Sequence, residues 1–164
     1  IPEGSIGLIT GVAKTGKTTF AENLAISLSV GRDEFFGKQL DGKPRKVCFV
    51  NLEESYRIRS WRNSKQIKQL SVKEYELFCN NYISTPLEFP SYINTETEWE
   101  ILSKYIADSS ADIVFIDSLT NMFDGKIEDS QSCRKFIQKL DEYVVSLRKT
   151  VVIIHHNIKK FNHK

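Results

Sequence analysis

The 164-residue sequence predicts one α/β domain, a doubly wound and mostly parallel sheet of about five strands with helices on both faces. Three observations predict it. Continuously apolar runs such as 47–50 and 151–154 are what strands buried on both faces require. Segments with apolar residues at helical spacing separate those runs. The chemically unusual polar residues follow directly after them, at the carboxyl edge of such a sheet, where ligands collect.

The elements follow in order. "SIGLITG" (5–11) is a short apolar run ending in glycine, and Phe20, Leu24 and Leu28 then recur at helical spacing until Gly31 stops the helix. Residues 31–46 hold three glycines, a proline and mixed charge, and read as an irregular loop. "KVCFVNL" (46–52) is a buried strand, followed by a basic helix over roughly 55–70. "YELFCNNYI" (75–83) reads as the third strand and "TPLEFPSYIN" as a proline-punctuated connector. Thr95 with Glu98 forms a capping box ahead of Trp99, Leu102 and Ile106. "ADIVFIDSL" (111–119) is the fourth strand. Residues 130–148 place Cys133, Phe136, Ile137, Leu140, Val144 and Leu147 on one helical face, and "TVVIIHH" (150–156) is the fifth strand.

Composition narrows the class. Hydrophobic residues at 40% and charged residues at 27% exclude disordered and collagen-like chains. The longest apolar run is strand-length and no signal peptide opens the chain, so the expectation is a soluble, cytoplasmic protein with no membrane partner. Cys48, Cys79 and Cys133 are odd in number and lie in apolar segments, which reads as reduced core thiols without a metal knuckle. A net charge of +2 does not by itself indicate nucleic acid. The chain opens on Ile1 and reads as a single domain, 1–164, cut from a longer chain and truncated at its C-terminus.

The chemistry begins at "GVAKTGKTT" (11–19). Gly11, Gly16, Lys17 and Thr18 fit the phosphate-binding loop, in which backbone N–H groups wrap the phosphates of a nucleotide such as ATP. Gly11, Val12, Ala13, Lys14, Thr15, Gly16, Lys17, Thr18 and Thr19 are the expected nucleotide contacts. Lys17 reaches the terminal phosphates, Thr18 gives a hydroxyl to Mg2+, and the helix starting here adds its positive dipole end. Asp117, ending "IVFID", is the carboxylate that helps hold the magnesium. Glu53 and Glu54 end another strand and face opposite ways, so one of them orients the attacking water; Glu53 is favoured, with Glu54 left to cap the next helix. His155 and His156 end the fifth strand, where one of them can sense the terminal phosphate.

In this order and spacing, "GVAKTGKTT", "VNLEES", "IVFIDSL" and "VVIIHHNIKK" resemble the RecA-like P-loop ATPases, most closely the RepA-like branch related to DnaB-type replicative helicases. The resemblance implies that Glu53 is the catalytic glutamate and His156 the sensor, beside Lys17 and Thr18, with Asp117 as the second-motif aspartate. It implies that the fifth strand sits between the first and the fourth. It further implies Mg2+-dependent ATP hydrolysis, a DNA partner in replication or repair, and a homo-oligomeric hexameric ring or filament. A P-loop kinase and a nucleotide-dependent switch remain the alternatives.

Two stretches bear on DNA. Arg57, Arg59, Arg62, Lys65, Lys68 and Lys73, interleaved with Tyr56 and Trp61, suit a nucleic-acid backbone with stacking, although the cations spread around the helix. The loop 120–131, where relatives contact DNA, is acidic in its second half.

Overall fold

The computed structural model describes residues 4–125 and 129–157. Residues 126–128 of the 120–131 loop and residues 158–160 of "HHNIKK" therefore lie outside the described residues. Five parallel strands form one sheet in the order β1-β7-β6-β4-β5, comprising β1 (Ile6–Val12), β4 (Val47–Asn51), β5 (Tyr82–Ser84), β6 (Ile113–Asp117) and β7 (Thr150–Asn157). The last strand lies between the first and the fourth, as the resemblance implied. A separate antiparallel hairpin, β2 (Glu34–Phe35) with β3 (Lys38–Gln39), occupies the irregular loop.

Strict alternation divides the core into two layers. Val47 and Phe49 of β4, Phe115 of β6, and Val152 and Ile154 of β7 face Ala21 and Ala25 of α1 (Lys17–Val30). Cys48, Val50, Val114, Ile116, Val151 and Ile153 face the other way. There they meet Trp99, Leu102 and Ile106 of α4 (Glu96–Asp108), and Leu140 of α5 (Ser130–Tyr143). Strands packed on both faces explain the unbroken apolar runs. The edge strand β1 is covered on one face only: Ile9 packs toward α1, while Leu8 is 61% exposed.

Three expectations need correction. Residues 75–81 are helical, within α3 (Val72–Asn81), and the strand is confined to Tyr82–Ser84. Ser71 and Glu74 form a complete capping box that starts this helix, and the Tyr75–Phe78 and Phe78–Tyr82 stacks run along it, so helical contacts prevail over strand propensity. Ile137 is exposed on α5, off the buried face otherwise assigned correctly. Of the cysteines, Cys48 is buried but Cys79 is exposed and Cys133 half-buried, so only one is a core thiol. The expected box of Thr95 and Glu98 does cap α4. Among the described residues no helix is long and apolar enough to cross a membrane.

α2 (Tyr56–Gln66) is anchored to α1 by charge. Arg62 donates from Nε to Glu22 Oε2 at 2.5 Å and from Nη2 to Glu22 Oε1 at 2.8 Å, and Glu22 is fully buried in α1. Removing one partner of a buried pair strands the other charge. Arg62→Ala should therefore lower the unfolding free energy by about 3–5 kcal/mol, read from the denaturant midpoint. The double variant Glu22→Gln/Arg62→Met should recover much of that loss.

Candidate active site

Gly16 sits in the left-handed region at φ 82° as the N-cap of α1, a conformation that glycine adopts without strain. A Cβ there would meet no heavy atom within 4 Å, so the loop encloses open space ahead of the helix N-terminus. Thr15 Oγ1 donates to Val12 O at 2.8 Å and tightens the turn. Lys17 is buried, and its Nζ donates to Val12 O at 2.6 Å, folded back onto its own loop. Thr18 Oγ1 donates to Asp117 Oδ2 at 2.6 Å, joining the loop to the end of β6.

Strand register assembles the remaining groups. Asn51 pairs with Asp117 and Asp117 with Ile154, while Gly11 pairs with His156. Beyond β4 the Asn51 Oδ1 accepts the Glu54 N–H at 2.9 Å, closing the turn that carries Glu53. Asn121, after β6, donates to Leu52 O at 2.9 Å and holds the same turn from the other side. Glu53 Oε2 thereby lies 2.7 Å from His156 Nε2, and Asp117 Oδ1 lies 3.8 Å from that nitrogen. The 2.7 Å contact is close but not aligned as a hydrogen bond, so it counts as electrostatic proximity.

Glu54 turns the opposite way. It accepts from Arg62 Nη1 at 2.8 Å and from Nη2, sharing that guanidinium with Glu22. It does not cap α2, whose N-cap is Ser55 accepting from the Ile58 N–H. The structure thus brings Lys17, Thr18, Asp117, Glu53 and His156 to one sheet edge and draws Glu54 away. Arg62, Glu22, Asn51 and Asn121 were not singled out as site residues. The roles of Arg62, Glu22 and Asn121 rest on pairings across 40 to 69 positions, Arg62 with Glu22 and Asn121 with Leu52, which no local pattern carries, whereas Asn51 meets Glu54 three positions on.

Burial pushes the Asp117 carboxyl up from 3.8 to about 6, opposed by the Thr18 hydrogen bond and reinforced by the Glu53 charge. His155 is held below its usual range by burial first, then by the neighbouring His156 and Lys17. A cavity of about 480 Å³ lined by Leu24, Leu28, Phe115 and Val152 includes none of the site residues.

The Asp117 shift makes stability depend on pH in one direction. With its folded value above its unfolded one, the group favours folding most below pH 3.8 and loses that contribution as pH rises through 6. Between pH 4 and pH 8 the metal- and nucleotide-free protein should therefore lose on the order of 2–3 kcal/mol relative to Asp117→Asn. Urea midpoints of both proteins across that range check the sign.

The comparisons with known proteins agree with the fold. The AAA domain family model matches residues 1–161. No curated protein sequence matches. A KaiC-like protein from the hyperthermophilic archaeon Pyrococcus horikoshii OT3 matches in structure with a TM-score of 0.56 at 20% identity, covering 96% of this chain and 63% of that one. The chain thus spans less than two thirds of that neighbour's length. Because 326 solved chains match, the fold alone selects no substrate. With its phosphate loop and five-stranded parallel sheet, the chain belongs to the AAA domain family.

Proposed function

We propose that this domain hydrolyses ATP with Mg2+ and that the protein containing it couples hydrolysis to a DNA strand, as a RepA-like or DnaB-type motor does. One observation carries the hydrolysis reading: Glu53, Asp117 and His156 converge beside a loop whose Thr18 already touches Asp117. The loop amides of 12–17 and the N-terminus of α1 bind the phosphates. Lys17 exchanges Val12 O for the terminal phosphates. The residues present fit magnesium, since Thr18 offers a hydroxyl and the buried Asp117 Oδ1 lacks a hydrogen-bond partner. That ion would neutralise charge on the phosphate oxygens. Glu53, 45% exposed on its side chain, orients the attacking water and takes its proton. His156, next to both acids, holds a hydrogen bond that depends on the state of the terminal phosphate.

The strand partner is supported by α2. Arg59 and Arg62 point inward, Arg59 to Thr85 Oγ1 at 2.8 Å and Arg62 to its two glutamates. The exposed cations that remain no longer surround the helix. Arg57, Trp61, Lys65 and Lys68 follow one another at helical spacing on the outward side, with no carboxylate between residues 55 and 70. Trp61 is 65% exposed, and Lys65 Nζ stands 5.6 Å from its ring centroid. A stacking platform flanked by cations suits single-stranded nucleic acid. On this reading a neighbouring copy in a ring or filament completes the site by bringing an arginine to the phosphates.

Glu53→Gln should bind ATP and hydrolyse it at least about 100-fold more slowly, whereas Lys17→Ala should bind it poorly. Quenched-flow product assays and equilibrium dialysis separate the two, and a Glu54→Gln variant with the slow phenotype would reassign the base. Single-stranded DNA should raise the ATPase rate, less so at higher salt. Trp61→Ala should weaken strand binding about tenfold, one stacked base; a rate and affinity indifferent to DNA would leave a nucleotide switch.

A further inference from the structure

Glu53, Asp117 and His156 each offer one ligand atom within 4.8 Å of the other two. Two of the separations are 2.7 Å, from Glu53 Oε2 to His156 Nε2, and 3.8 Å, from that nitrogen to Asp117 Oδ1. Ligands of a tetrahedral ion at about 2.1 Å from the metal stand about 3.4 Å apart. The observed separations bracket that value, and Glu53, half-exposed, is free to adjust. Asp117 is fully buried, with Oδ2 taken by Thr18, while its Oδ1 lacks any hydrogen-bond partner and lies toward His156. The His156 Nε2 likewise has no aligned hydrogen bond. Lys17, the cation of the loop, is turned onto Val12 O.

Two carboxylate oxygens and an imidazole nitrogen differ in kind from the oxygen set at Thr18. Magnesium prefers oxygen, whereas imidazole raises affinity for the later divalent metals. We propose that the nucleotide-free domain binds a Zn2+- or Co2+-class ion directly on Glu53 Oε2, Asp117 Oδ1 and His156 Nε2, without using Thr18. Binding depends only on these three side chains. The consequence for activity rests on the ATPase reading: the ion occupies the carboxylate that would otherwise orient water, so it stops hydrolysis while Lys17 stays available to phosphate.

Cobalt titration of the nucleotide-free protein, followed by visible d–d absorption and by displacement with Zn2+, tests the site. Stoichiometric binding is expected, weakened by more than about 100-fold in His156→Gln and in Glu53→Gln, which remove a ligand, by at most about 10- to 100-fold in Thr18→Ala, whose hydroxyl only orients Asp117, and retained in Cys79→Ser. Thermal unfolding confirms that each variant is folded, and ATP dialysis on the same samples tests the phosphate loop separately. Absence of stoichiometric cobalt, or undiminished binding by His156→Gln, overturns the proposal. So does a loss in Thr18→Ala equal to that in His156→Gln, or a loss in Cys79→Ser, since the ion would then sit at the loop or on the exposed thiol.

Discussion

Insertion of β7 between β1 and β6 is the constraint on which the site depends. Parallel hydrogen bonding fixes its register to both neighbours at once, Gly11 against His156 on one side and Asp117 against Ile154 on the other. A slip of one residue would turn every core side chain of β7 to the wrong layer. Val151 and Ile153 must meet α4 and α5 while Val152 and Ile154 meet α1, so packing holds that register. The placement of His156 is thus a by-product of apolar alternation four residues earlier.

A second constraint is electrostatic. Glu53 and Glu54 are adjacent acids at one strand exit, and only one of them remains unpaired by a guanidinium. Arg62 takes Glu54 together with Glu22, sequestering two carboxylates on one cation. That cation is pushed further toward its charged form, chiefly by Glu22. Because Glu22 lies one turn beyond Thr18 on α1, the same ion group ties the phosphate-loop helix to the turn carrying Glu53. These charge-assisted bonds add to the apolar packing that already holds α1 against β4.

Much of the fold was legible because its signals are local. Apolar runs gave four of the strands, Thr95 with Glu98 marked the start of α4, and the glycine loop marked the start of α1. Residues 75–81 were misread because an aromatic-rich segment suits either period; the Ser71 and Glu74 box, three positions apart, was the available signal for a helix. The convergence of Lys17, Thr18, Asp117, Glu53 and His156 could be anticipated from strand-end positions. The division of labour between Glu53 and Glu54 depends on Arg62, 40 residues from Glu22, and that pairing exists only in three dimensions. The outward stripe on α2 was hidden for the same reason, since Arg59 and Arg62 count as surface cations until their partners are seen.

The bond from Lys17 to Val12 O has a bearing on selectivity. The cradle's strongest donor is already satisfied by a carbonyl of the cradle itself, so an entering anion gains only the difference between two acceptors. A charge-assisted hydrogen bond is worth about 1.5–3 kcal/mol net, enough to turn away a solitary phosphate or chloride that offers a single contact. On the proposed reading, a polyphosphate chain that meets many amides together offsets the loss of that carbonyl bond, where a single anion does not.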